Sequence, residues 1–348
     1  MRRASSSTHG RSRGSRRLLV PGATATLVLA CLWAHSRPDG LALEVQRLPL
    51  SASEPAQEAV GPLRYRGGLW LHSTDPRFGG LSDLRVTPDG SQLLAVSDCG
   101  RGFVAALVYD SNGDLADLRS PLLVELVGTD GGPLVSRGER DAEGLAFEGD
   151  DGLLVGFEGL PRIWRYSRSP PFAGPPERWP GPPVDEACRS NHSLETLADL
   201  EDGRFFVACE ATPGQESVPA WLGSEKGWTA CSYPLGDEGP GGRFTPTAAA
   251  RLPDGDVLVL ERRFPPLEVR LMTLSRDELK TGSLAPREIV RLAAPLTVDN
   301  FEGVAVRRDA SGATLLYLLS DDNGCSKTPG VVPPRLQRTL LLLFELGG

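Results

Sequence analysis

An all-β fold follows from three features of this 348-residue sequence. One pattern recurs five times, every copy reads as a hairpin on an Asp-Gly or Ser-Gly turn, and 40 Gly and 30 Pro punctuate a chain that is only 6% aromatic. Gly and Pro at that level, with no three-residue period and no long polar runs, exclude collagen and bulk disorder. The length suffices to bury one large all-β domain or two ordinary ones.

In register, the copies are SDLRVTPDGSQLLAVSD from Ser82, EGLAFEGDDGLLVGFE from Glu143, ETLADLEDGRFFVACE from Glu195, TAAARLPDGDVLVLE from Thr247 and EGVAVRRDASGATLLYLLSD from Glu302. Their starts lie 61, 52, 52 and 55 residues apart. Each has a short alternating strand, a tight turn, and a second strand ending at an acid, which is hairpin grammar. The second strands, Leu93 to Val96, Leu153 to Phe157, Phe205 to Cys209, Val257 to Leu260 and Leu315 to Leu319, are apolar at every position. Both their faces must therefore be covered, and they are too short and too close to turns for buried helices.

A repeat of this length, with room for two more strands per copy, is the signature of a β-propeller blade. Phe103 to Tyr109, Ile163 to Tyr166, Val269 to Leu274 and Leu340 to Phe344 supply outer strands. The weaker stretches at 63–75 and 217–235 supply a sixth blade or missing strands. Six blades are expected, with five and seven compatible. Seven prolines in residues 170–183 exclude a central strand there and read as a rigid surface excursion.

Residues 1–36 carry six Arg and no acid: a basic stretch ending at Arg16-Arg17, an uncharged run from Leu18 to Ala34, and small residues at Ala34-His35-Ser36. This reads as an export signal, twin-arginine or ordinary secretory, or else as an uncleaved anchor. Residues 37–62 read as a spacer, and 63–348 as the propeller. The expected location is periplasmic or secreted, membrane-tethered if the signal stays.

The chain counts 45 acids against 37 bases. With the Arg-rich segment set aside the body is more acidic still, so it offers nucleic acid no electrostatic footprint. A monomer acting on a small molecule is expected. Beyond Cys31, the cysteines Cys99, Cys188, Cys209, Cys231 and Cys325 include no C-x-x-C, which removes zinc and thioredoxin-like readings and leaves one or two disulfides with one free thiol. Elbow-type serine hydrolase, zincin, P-loop and dinucleotide motifs are absent from the sequence.

Because each hairpin reverses, the start of its first strand and the end of its second share one face of the propeller. The starts give Glu143, Glu195 and Glu302, with Ser82 and Thr247 equivalent; the finishes give Asp98, Glu158, Glu210, Glu261 and Asp321. Such a ring of carboxylates needs cations or Arg partners. Oxygen-only donors favour a hard metal, calcium first. Glu143, Glu195, Glu302 and Asp321 are the expected ligands, with Asn191, Asn300 and Asp322 in or around the set. The alternative is that these acids bond backbone amides or Arg of adjacent blades and only lock the ring. Arg101, Arg140, Arg162 and Arg262 flank the acids and are expected to pair with them. His192, just before an inner strand, is the candidate for proton transfer, and His72 reads as structural.

Gly80-Leu81-Ser82, Asp141-Ala142-Glu143-Gly144-Leu145, Asn191-His192-Ser193-Leu194-Glu195, Asn300-Phe301-Glu302-Gly303-Val304, Ser320-Asp321-Asp322-Asn323 and Gln337-Arg338-Thr339-Leu340-Leu341 occur in an order that resembles the bacterial phytase-like family, "esterase-like activity of phytase". The resemblance runs from about Gly67 to Leu346. It implies an exported β-propeller that hydrolyses an ester or phosphoester, calcium-dependent by the reading above. Phytate fits poorly, because this acidic chain shows no basic phosphate-binding set. A lactonase of the calcium-propeller type, and a non-catalytic propeller with a structural metal that binds a ligand or envelope partner, are the competing expectations.

Overall fold

Asp-Gly and Ser-Gly turns place Gly90, Gly203, Gly255 and Gly312 at φ between 74° and 94°, where glycine costs least, and so close the first hairpins of four blades, while in the remaining one Gly149, at 55°, takes that place instead of Gly152. The computed structural model describes residues 40–184, 188, 194–264, 267–324 and 337–347. The expected export signal, Asn191 and His192 lie outside these residues.

Three N-terminal strands come first: β1 (Glu44–Leu48), β2 (Ala59–Val60) and β3 (Leu63–His72). Blade one is β4 (Leu81–Val86), β5 (Gln92–Ser97), β6 (Arg101–Tyr109) and β7 (Leu115–Glu125). After the single turn α1 (Arg137–Arg140), blade two is β8 (Ala142–Glu148), β9 (Gly152–Phe157), β10 (Arg162–Ser167) and β11 (Glu177–Trp179). Blade three is β12 (Leu194–Asp199), β13 (Phe205–Cys209), β14 (Ser217–Ser224) and β15 (Gly227–Pro234). Blade four is β16 (Thr245–Arg251), β17 (Val257–Arg263), β18 (Glu268–Leu274) and β19 (Arg287–Ala293), with α2 (Arg276–Thr281) before its last strand. Blade five takes β20 (Phe301–Arg308), β21 (Thr314–Ser320) and β22 (Thr339–Leu346) from the C-terminal end.

All five sheets are antiparallel, and the first strand of each blade is innermost: β4 packs on β8, β8 on β12, β12 on β16, β16 on β20, and β20 back on β4. The chain is a five-bladed propeller. The stretches that left room for a sixth blade are fourth and third strands of existing ones. β14 and β15 complete blade three, and β3 pairs with β22 to give blade five its outer strand. That pairing joins the two ends of the propeller and closes the ring. β1 then adds outside β3, pairing Glu44 with His72 through Leu48 with Gly68, so the segment read as a spacer is partly blade. The proline-rich excursion contributes only the edge strand β11, whose three residues fall between the prolines.

The wholly apolar second strands are explained by their position between neighbours. In β5, Leu93 and Ala95 pack with Leu319 and Leu341 of blade five, whereas Leu94 and Val96 pack with Leu153 and Phe157 of blade two. β9, β13, β17 and β21 repeat this two-sided burial. Each such Leu or Val contributes roughly 1.5–3 kcal/mol by leaving water.

A feature the repeat pattern does not announce sits in the channel. Asp83 and Arg85 of β4 are buried, with an Nη1 to Oδ1 distance of 3.2 Å. Asp83 accepts from the amide of Leu145 on β8 at 2.9 Å and from Leu84 at 2.8 Å. Arg85 donates to the carbonyls of Val304 on β20 (3.0 Å), Leu197 on β12 (2.6 Å) and Ala249 on β16 (3.0 Å). One ion pair therefore bonds to all five inner strands. Gly144 and Gly303 flank it because a Cβ would lie 3.0 Å from Leu197 Cβ in one case and 2.9 Å from Leu84 Cδ2 in the other, so the glycine of each Glu-Gly-apolar motif lets neighbouring inner strands approach.

Cys188 and Cys209 form a disulfide, Cys99 is also disulfide-bonded, and Cys231 is a free, half-buried thiol.

Removing one partner of a buried pair leaves an uncompensated charge and costs about 3–5 kcal/mol. Arg85→Met is therefore expected to lower the urea-unfolding free energy by that amount. Arg77→Ala, which removes an exposed pair with Asp75, is expected to change it by less than about 1 kcal/mol. Equal effects would show that the channel pair does not tie the ring.

Candidate functional site

Every inner strand is bulged against its partner at one residue. The register slips between Leu81 and Asp83, Ala142 and Gly144, Leu194 and Thr196, Pro246 and Ala248, and Phe301 and Gly303. A bulge leaves its extra residue outside the ladder and re-aims the side chain. The skipped residues are Ser82, Glu143, Glu195, Thr247 and Glu302, the five starts marked by the repeat. Next to the residues that pair with the position before each bulge, Ser97, Phe157, Cys209, Glu261 and Ser320, stand Asp98, Glu158, Glu210, Arg262 and Asp321, of which Arg262 is itself still in the ladder, paired with Thr245. Two rings of five thus meet at one mouth of the channel, with seven carboxylates, two hydroxyls and one guanidinium.

Burial and mutual repulsion act together on the acids. Glu143 is pushed well above the usual carboxylate range by burial, then by Glu195, Asp98, Glu302 and Glu158. Burial raises Glu195 likewise, with Glu210, Glu158 and Glu302 adding to it and Arg262 opposing. Asp321 follows the same pattern through burial, Glu302 and Asp98. Burial, with Glu302 and Asp141, pushes Asp98 up to about 7. Burial also raises Glu302, against the opposing pull of Arg262 and a hydrogen bond from Asn300.

Arg262 is the one base of the rings. Its Nη2 lies 3.0 Å from Glu302 and 3.4 Å from Glu210, and Nη1 donates to Asn300 Oδ1 at 2.6 Å. Burial works against its charge, and the surrounding acids outweigh it and hold the proton more firmly.

Glu143, Glu195, Glu302 and Asp321 therefore come together, whereas other expected residues stand elsewhere. Asn300 is a linker: its amide donates to Glu302 at 2.8 Å while its oxygen holds Arg262. Asp322 turns to the backbone, accepting from Gly80 at 3.0 Å and Gly324 at 2.9 Å through Oδ1. Glu261 does not reach the mouth. It is fully buried against Tyr233, at 2.7 Å, and Arg270, because one residue along a strand reverses the face. A constant spacing finds the correct residue: the ring positions of blades two, three and four are 15 residues apart, Glu143 to Glu158, Glu195 to Glu210 and Thr247 to Arg262.

Of the four flanking arginines only Arg262 pairs with ring acids. Arg101 pairs with Glu125 at 2.7 Å, Arg162 stacks on Phe157 and Trp164 and donates to the Leu160 carbonyl, and Arg140 Nε is buried without a hydrogen-bond partner. A cleft of about 750 Å3 borders the mouth through Cys99 and Asp322, and its wall includes Trp70, His72 and Phe78.

Among the described residues two groups could hold a metal. The ligand oxygens of Asp141, Glu143 and Glu158 lie within 4.8 Å of one another, and so do those of Glu158, Glu195 and Glu210. The donors suit a hard cation, since they are oxygens only. Asp98 Oδ1 is buried with no hydrogen-bond partner, so a further positive charge fits the mouth.

The family model described as Phytase-like, esterase-like activity of phytase, matches residues 76–324. The chain belongs to the phytase-like family. Its propeller carries the matched segment from the approach to β4 to the residues after β21. No curated protein matches the sequence. Among solved structures, U3-55K is similar at 11% identity over 80% of this chain and 98% of that one, with a TM-score of 0.42. A streptogramin B lyase is similar at 12% over 80% and 70%, TM-score 0.38, and the PQQ-bound aldose sugar dehydrogenase of Streptomyces coelicolor at 16% over 87% and 98%, TM-score 0.35.

Acids whose folded pKa exceeds the unfolded value of ~4 bind more protons folded than unfolded, so stability falls as pH rises through that interval. With Asp98 at about 7, the interval reaches neutrality. In EDTA, the melting temperature is expected to be higher at pH 5.5 than at pH 7.5, and millimolar calcium to raise it more at pH 7.5. A melting temperature in EDTA that climbs between those pH values would show the acids already neutralised by protein partners.

Proposed function

We propose that this phytase-like propeller is an exported hydrolase of an ester or phosphoester whose acidic mouth binds calcium. The observation that carries the reading is the five-fold bulge, which turns Glu143, Glu195 and Glu302 toward one mouth where oxygen donors of several blades converge. Calcium bound there supplies a Lewis acid for a substrate oxygen.

The chain's own groups have separable tasks. Glu143, Glu158 and Glu195 hold the cation; Arg262 and Asn300 orient Glu302. Asp98, held up to about 7 by burial and by Glu302 and Asp141, carries a proton near neutral pH and suits general acid–base work. His192, the candidate from the sequence, lies outside the described residues. The cleft beside the mouth gives an organic substrate apolar contact at Trp70 and Phe78.

Export is supported by the disulfide between Cys188 and Cys209, since such bonds persist in oxidising compartments, together with the N-terminal pattern of residues 1–36. Among the described residues no helix is long and apolar enough to cross a membrane.

The test is turnover of aryl esters, phosphodiesters and lactones by the full exported chain, with and without EDTA. Calcium-dependent hydrolysis is expected, with kcat/KM reduced about 100-fold or more in Glu195→Gln, in keeping with loss of metal-derived transition-state stabilisation of several kcal/mol. Hydrolysis that persists in EDTA would overturn the metal's role. Calcium-raised melting temperature with no hydrolysis of any class would establish the binding propeller instead.

A further inference from the structure

The channel has a second mouth, and its chemistry is the reverse of the first. The inner strands end there, at Val86, Glu148, Asp199, Arg251 and Arg308. A cavity of about 290 Å3 opens among these ends, with Arg85, Arg251, Arg307 and Arg308 in its wall and Asp199 as the one acid. The neighbouring carboxylates are engaged elsewhere. Asp83 holds Arg85 from the channel side, and Glu148 pairs with Arg165 at 2.7 Å. Asp309 accepts from the amides of Ser311 and Ala313, both at 2.9 Å, and Asp89 from the amide of Ser91 at 3.0 Å.

The four guanidiniums are unequally served. Arg85 is only 5% exposed, and its Nε has no hydrogen-bond partner. Arg251 is neutralised by Asp199 at 3.0 Å. Arg307 donates through Nε to the Tyr317 hydroxyl at 2.8 Å and lies over the rings of Tyr109 and Tyr317, contacts that fix the guanidinium without neutralising it. Arg308 is exposed and forms no hydrogen bond or ion pair among the described residues. Two like charges left uncompensated in one wall repel, and a dianion between them reverses the sign of that energy. A phosphate group carries close to two charges at neutral pH, and guanidinium forks match its oxygens in pairs. We infer that the second mouth is a binding site for a phosphate group, held by Arg307 and Arg308, with Arg251 completing the set and Arg85 supplying positive charge at its floor. The arginines come from β4, β16 and β20, so no basic run in the sequence announces them. The inference does not rest on the hydrolase reading, because the Asp83–Arg85 pair stands between the two mouths.

The test is isothermal titration of the full exported chain with inorganic phosphate and with glycerol 3-phosphate, in ~0.15 M sodium chloride to screen diffuse surface charge and in EDTA so that no metal at the acidic mouth takes part. One equivalent is expected, with Kd below ~1 mM. Arg308→Gln should weaken binding about 10-fold with the melting temperature unchanged, since its side chain makes no contact that folding needs. Asp199→Asn, which removes the cavity's own carboxylate and frees Arg251, should tighten binding several-fold, a gain that a misfolded variant cannot produce. Arg119→Gln makes the same change in net charge on the exposed outer strand of blade one and should leave Kd within about 2-fold. Tighter binding of glycerol 3-phosphate would identify a phosphomonoester as the ligand, and the reverse order free phosphate. No binding of either probe, equal weakening in Arg308→Gln and Arg119→Gln, or binding not tightened in Asp199→Asn would overturn the site. Phosphate binding with no hydrolysis of any class would leave this inference standing and defeat the proposed activity, whereas hydrolysis without phosphate binding would do the reverse.

Discussion

Five inner strands can stand around one axis only if something satisfies the polar groups they turn toward each other. In this protein Asp83 and Arg85 do so, the carboxylate taking amides of β4 and β8 and the guanidinium taking carbonyls of β12, β16 and β20. Both side chains come from blade one, so that blade is in direct polar contact with every other. Buried polar networks of this kind are costly when broken, and in this one Arg85 Nε alone is left without a hydrogen-bond partner while both terminal nitrogens are used. The glycines beside the pair, Gly144 and Gly303, keep the channel narrow enough for one guanidinium to reach all sides.

The same geometry sets the character of the mouth. Because the inner strands are held close, the bulged residues above the pair are close too, and the seven acids of the two rings cannot spread into solvent. Stability and cation binding are therefore opposed in the metal-free chain: the fold that brings Glu143, Glu195 and Glu302 together is destabilised by their repulsion. Arg262 offsets part of it at Glu210 and Glu302, and Asn300 fixes that arrangement from the adjacent loop. The side around Asp141 and Glu143 has no comparable paired base among the described residues, which makes the mouth electrostatically lopsided.

Much of this was legible in the sequence, because the features concerned are repeated. Five copies of a hairpin, second strands apolar at every residue, and acids at fixed offsets are enough for the propeller and for Glu143, Glu195, Glu302 and Asp321 at one mouth. The blade number was not, since β3 and β22 lie at opposite ends of the chain and pair only through closure of the ring. Non-repeating chemistry was also hidden. Asp83 and Arg85 occur in one blade, look like an ordinary charged strand, and acquire their meaning from carbonyls more than a hundred residues away. Glu261 and Arg262 differ by one position, and only the ladder or the 15-residue spacing tells which side chain faces the mouth. Asp322 has the composition of a ligand, yet two amides take its oxygen, one from Gly324 beside it and one from Gly80 near the other end of the propeller.

What decides the role of the mouth is whether its converging carboxylates receive a cation. Crystals of the exported chain grown in calcium, with diffraction recorded at a wavelength where calcium scatters anomalously, would answer this directly. The account predicts anomalous density at the channel mouth at ~2.3–2.6 Å from carboxylate oxygens that include Glu158. Density confined to the outer surface, with the mouth acids bonded to amides, arginines or one another, would contradict it.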